Sequence, residues 1–135
     1  MRHAFVLTLG SLLFVLAGCG VKAPVQPRQD PFLPSQIHMA GPKAEELRKL
    51  TAVDAPRLAR DEEGRLLYVL VPVRSASNYD LYVDYRVSFL DANGMLLSQT
   101  GWLPKTLRAN AYEEIQVNSM SPRAADFRMD IRFSQ

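Results

Sequence analysis

The chain has 135 residues, 47% of them hydrophobic, with 16 lysines and arginines against 14 aspartates and glutamates. That length suits one modest domain and is too short for two. A net charge of +2 gives no electrostatic footprint for nucleic acid or an anionic lipid surface, and one cysteine with two histidines excludes a disulfide framework and a zinc site of the usual nitrogen and sulfur ligands.

The N-terminus reads as a targeting segment. Met1-Arg2-His3 is a short positive start, and Ala4 to Leu16 runs apolar apart from Thr8, Gly10 and Ser11. That run is shorter than the ~20 residues a helix needs to cross a bilayer, and matches the apolar region of a secretory signal. It ends in Leu16-Ala17-Gly18-Cys19, which resembles the lipobox of bacterial lipoproteins. The resemblance implies a signal peptide over 1–18, cleavage between Gly18 and Cys19, and lipidation of the Cys19 sulfur. Cys19 is the sole cysteine, and several acyl chains on one residue exceed what stable membrane anchoring requires. Gly20 follows. The absence of an aspartate there, which in enteric bacteria resembles an inner-membrane retention signal, favours the outer membrane facing the periplasm.

Residues 19–35 form a lipid-bearing tether. Prolines 24, 27, 31 and 34 forbid a helix and favour extended polyproline conformations, so about fifteen residues reach ~45 Å. Pro42 to Leu50 predicts the one short helix, with Glu45 and Glu46 in its first turn and Arg48 and Lys49 in its last, complementing the helix dipole.

The rest, within a domain spanning 36–135, alternates with period two. A first strand is expected near Gln36 to Ala40. Arg57 to Arg60 and Arg65 to Arg74 flank the polar turn Asp61-Glu62-Glu63-Gly64. Leu67, Val69, Val71 and Val73 face one way, and Pro72 marks an edge position or a bulge, since it cannot donate to a ladder. Leu81 to Leu90 puts Leu81, Val83, Tyr85, Val87 and Phe89 on one face and Tyr82, Asp84, Arg86 and Ser88 on the other. Asn93-Gly94 signals a hairpin into Met95 to Thr100. Ala111 to Asn118 and Phe127 to Phe133 complete about seven strands. Short strands with one apolar face each close two sheets over a common core, so the expected fold is an all-β, immunoglobulin- or fibronectin-like antiparallel sandwich with one short N-terminal helix; a small barrel is the alternative.

The stretch Leu81-Tyr82-Val83-Asp84-Tyr85-Arg86, then Phe89 and Asp91-Ala92-Asn93-Gly94-Met95, resembles the signature of the YcfL-like lipoproteins. So does the spaced set Trp102, Pro104, Thr106-Leu107, Ser121-Pro122, Ala124, Phe127-Arg128 and Arg132. The likeness spans residues 65–133 and sets residues 20–52 apart as a longer N-terminal segment. It implies a single exported β-sandwich with no enzyme activity and no known ligand. It also implies a genetic neighbourhood that includes an outer-membrane activator of a peptidoglycan synthase.

Candidate catalytic sets are few. Once His3 leaves with the signal, His38 is the only histidine, and it reads as a strand-edge residue. Glu62-Glu63 belong to a turn, and the adjacent strand residues Glu113 and Glu114 point to opposite faces, so neither pair is arranged for acid–base work. There is no glycine-rich phosphate loop. The expectation is therefore no enzyme, no metal and no cofactor. Trp102, the sole tryptophan, reads either as a ring closing one end of the sandwich or as an interface anchor. Tyr82, Asp84 and Arg86 share one strand face, and Arg128, Asp130 and Arg132 share another. If those strands are neighbours, the charges either pair with one another across the sheet or form a polar docking surface. The candidate partner surface is thus Tyr82, Asp84, Arg86, Trp102, Arg128 and Arg132. The expected partners are the bilayer, through Cys19, and an envelope protein, with peptidoglycan glycan as the alternative ligand.

Overall fold

The structure, a computed structural model, describes residues 34–135. The signal peptide, the Gly18–Cys19 junction and the tether up to residue 33 lie outside the described residues. In chain order the elements are β1 (Ile37–Met39), α1 (Ala44–Leu50), β2 (Thr51–Val53), β3 (Arg57–Arg60), β4 (Leu67–Ser75), β5 (Leu81–Leu90), β6 (Leu96–Gln99), β7 (Leu103–Leu107), β8 (Tyr112–Asn118) and β9 (Asp126–Phe133).

These strands form two sheets packed as a sandwich. One sheet runs β1-β9-β5, with β6 and β7 in series along the far side of β5; the other places β2 and β3 in series beside β4, with β8 on its opposite side. The nine segments therefore occupy seven strand positions. The orders β2/β3-β4-β8 and β6/β7-β5-β9 match the A-B-E and C′-C-F strands of an immunoglobulin sandwich. Beside β9 runs β1, parallel to it. This parallel pair departs from the wholly antiparallel sheets expected, because strands from opposite ends of a chain share no hairpin to set their direction.

The alternation lands as read. Leu67, Val69, Val71 and Val73 of β4 are buried, as are Leu81, Val83, Val87 and Phe89 of β5 and Phe127, Met129 and Ile131 of β9. Each such side chain contributes about 1.5–3 kcal/mol of burial. Helix α1 packs against β1, β2 and β9, and its Leu47 is fully buried in the core. The Thr51 hydroxyl donates to the Leu47 carbonyl at 2.8 Å, satisfying one of the last helical acceptors.

Two segments escaped the sequence pattern. β2 has three residues directly after the helix, too few to show a period. β7 contains Pro104, which reads as a breaker but is tolerated on an edge strand. Pro72, in turn, lies in the central strand β4 rather than at an edge. Its carbonyl accepts from Asp54 N at 3.1 Å, so its nitrogen faces the same side, where β2 ends. The register moves by one residue between Val53↔Val73 and Arg57↔Leu70, so the irregularity falls in the partner strand. The Pro72 ladder to β8 stays intact.

The Asn-Gly hairpin forms, with a different turn from the two-residue kind. Gly94 N donates to Asp91 O at 3.0 Å, Asp91 N donates to Met95 O at 2.9 Å, and only Gly94 has positive φ, at 80°. This is a three-residue loop closed by a glycine bulge. The Asp91 carboxylate accepts from both Asn93 N and Met95 N at 2.9 Å.

Candidate functional site

The outer face of the five-stranded sheet carries most of the candidate residues. Strands β5 and β9 pair so that Asp84 opposes Arg132, Arg86 opposes Asp130, and Ser88 opposes Arg128. Opposite residues share a face, and the charges along each strand alternate in sign out of phase with the neighbour. Arg86 Nη2 donates to Asp130 Oδ2 at 2.8 Å, and Arg132 Nη2 lies 3.5 Å from Asp84 Oδ2. The Ser134 hydroxyl donates to Asp84 Oδ1 at 2.8 Å. From β1, exposed His38 brings Nδ1 to 3.3 Å from Asp130 Oδ1.

Trp102 joins this face through a one-residue register change. β6 pairs Gln99 with Ser88, whereas β7 pairs Leu103 with Tyr85. The extra residue lies between them, and it puts Trp102 opposite Arg86 on the outer side. A single-residue slip would have turned the ring to the core face. The Arg132 guanidinium carbon lies 3.9 Å from the ring centroid and that of Arg86 lies 4.7 Å away. Both are within cation–π range, worth about 0.5–1 kcal/mol each at exposed sites. Trp102 therefore does not close an end of the sandwich. The buried side chain bridging toward the second sheet on the β1–β9 side is Leu47 of α1.

Asp84, Arg86, Trp102 and Arg132 thus form one cluster. Tyr82 stands one row away on the same face and is 64% exposed. Arg128 lies at the other end, exposed and with no acidic side chain within 4 Å among the described residues. Asp130 and His38 are the members that the candidate surface omitted. Asp130 was legible as a third charge on its strand, but nothing in the sequence brings His38 beside it, because that needs the β1–β9 pairing. The buried Nε atoms of Arg86 and Arg132 have no hydrogen-bond partner among the described residues.

Of the carboxylates weighed for acid–base work, Glu63, Glu113 and Glu114 are held in salt bridges. Glu113 lies on the inner side of β8, with Arg108 Nε at 2.6 Å and Lys105 Nζ of β7 at 3.6 Å, linking the two sheets. The hydrogen bond from Arg108 holds the Glu113 carboxyl below its ordinary range, and Glu113 in turn raises Arg108. Glu114 points outward to Arg57 at 2.8 Å. Glu63, in the turn, pairs with Arg65. Among the described residues no three His, Cys, Asp or Glu side chains are grouped to hold a metal ion.

Residues 41–133 match a family described as a protein of unknown function, DUF1425. The chain belongs to the DUF1425 family. The match begins at Gly41, so α1 and β2 lie inside the family domain, which corrects the expectation that all of residues 20–52 stand apart from it. The fold is similar to the crystal structure of Campylobacter jejuni cj0090, at 19% identity and a TM-score of 0.60, over 75% of this chain and 100% of that one. It is also similar to a DUF1425 family member from a Shewanella species, at 17% identity and a TM-score of 0.57, over 63% of this chain and 79% of that one. At these identities the likeness is one of fold. No curated protein matches the chain.

Proposed function

We propose that this DUF1425 chain is a YcfL-like lipoprotein. In this reading it is anchored through acylated Cys19 in the outer membrane, and its sandwich is a non-catalytic binding module for a protein partner in the periplasm. The docking surface is the outer face of the five-stranded sheet. The observation that carries this is the placement of Trp102: a register change brings the only tryptophan out of the core and onto two arginines, on the same sheet face as exposed Tyr82. Aromatic and arginine side chains held in place are the residues that dominate protein interfaces.

Photoreactive residues at Tyr82, Arg86, Trp102 and Arg128, introduced in living cells, test the reading. Discrete protein adducts from these positions are expected, with none from Gln116, an exposed residue on the opposite sheet. Silence at all four positions in a correctly localised protein would reject protein docking and turn attention to a glycan ligand.

A further inference from the structure

One concavity borders the polar face. After β1 the chain turns at Gly41, whose φ of +86° suits glycine, and Pro42 and Lys43 then stand beside the end of β9. Between this loop, Trp102 and β9 lies a groove of about 300 Å³, walled by Ala40, Pro42, Trp102 and Phe133 and bordered by Lys43 and Arg132. That volume and mixture, largely carbon with a few placed polar groups, are typical of ligand-binding clefts.

Its charged side chains are both basic, and the last residue, Gln135, which also lines it, makes no salt bridge with either of them. Lys43 and Arg132 are the charged side chains lining the groove, and no carboxylate side chain lines it. Lys43 has no acidic side chain within 4 Å among the described residues. Arg132 is only loosely committed: its contact with Asp84 is 3.5 Å, against 2.8 Å for Arg86 with Asp130. Charge-assisted bonds between guanidinium and carboxylate normally close to about 2.7–2.9 Å.

We propose that the groove receives an acidic peptide segment. One carboxylate sits between Lys43 and Arg132, and a neighbouring apolar side chain lies against Pro42 and Trp102. This rests on the reading that the adjoining sheet face docks a protein, and names the chemistry of the partner there. One carboxylate suits the site better than a dianion, since Asp84 already shares Arg132 and would repel a second negative charge.

Trp102 is the chain's only tryptophan and therefore reports on the groove directly. The intact protein in detergent is titrated with a blocked hexapeptide alternating phenylalanine and glutamate, and with its glutamine counterpart. A saturable change in tryptophan emission is expected for the acidic peptide. Binding of the glutamine peptide, or of the acidic peptide to Lys43→Glu, is expected to be about tenfold weaker or more. Lys43 is exposed and its side chain makes no capping hydrogen bond, so the variant is expected to keep the wild-type circular dichroism spectrum. Equal response to both peptides, no saturable response, or indifference to Lys43→Glu would overturn the proposal. Adducts at Tyr82 and Arg128 without any peptide response would remove the groove as the contact while leaving protein docking in place.

Discussion

The ring of Trp102 lies on two guanidinium groups because one extra residue between β6 and β7 places it opposite Arg86. Its burial and partners are thus set by strand register more than by its own hydrophobicity. Glu113 shows the same dependence from the other sheet. Its side chain faces inward at the end of β8, where Arg108 and Lys105 hold it charged. Its pKa in the folded protein lies below the ordinary value, chiefly through the hydrogen bond from Arg108. The stability that this contributes is fully present above the unfolded glutamate pKa and is lost as pH falls through the depressed folded value. Urea unfolding of Glu113→Gln is therefore expected to lose less stability on acidification than wild type does. Identical pH profiles for the two proteins would contradict this role.

Element by element, the period-two pattern was a reliable guide wherever strands were long. β4, β5 and β9 bury the residues their alternation marks, except that Tyr85 and Phe133 are half-buried at the margin of the core. It was silent for β2, which is three residues long, and for β7, where Pro104 hid an edge strand. Helix α1 was legible from its charges, yet its role was not. Seven residues make a helix too short to persist alone, so packing of Leu47 must hold it. Leu47→Ala is expected to destabilise the domain by about 2–5 kcal/mol, read from chemical denaturation. A loss under about 1 kcal/mol, the size of an exposed substitution's effect, would show that the helix is peripheral to the core.

For the molecule as a whole, the proposed anchor and the sandwich are expected to be separable. Cys19→Ala should abolish acylation and leave the signal uncleaved, while the thermal unfolding of the domain stays unchanged. Radiolabelled palmitate persisting in that variant would contradict Cys19 as the lipid site. In the sheet order, β1 covers the edge of β9 that an immunoglobulin sandwich fills with its last strand.

From the sequence alone followed the all-β class, the inward and outward faces of the long strands, the hairpin at Asn93-Gly94 and the short helix. These depend on side-chain periodicity and local backbone preferences, which act over a few residues. Also legible was that Asp84, Arg86, Arg128, Asp130 and Arg132 lie on outward faces. Which of them meet was decided by the tertiary structure. The Arg86–Asp130 and Arg132–Asp84 pairs need β5 and β9 to be neighbours in one register, and His38 reaches Asp130 only because β1 pairs with a strand 92 residues away. The groove at Lys43 likewise joins three segments distant in sequence. Pairing between distant strands depends on burying a shared core, and no local pattern encodes it.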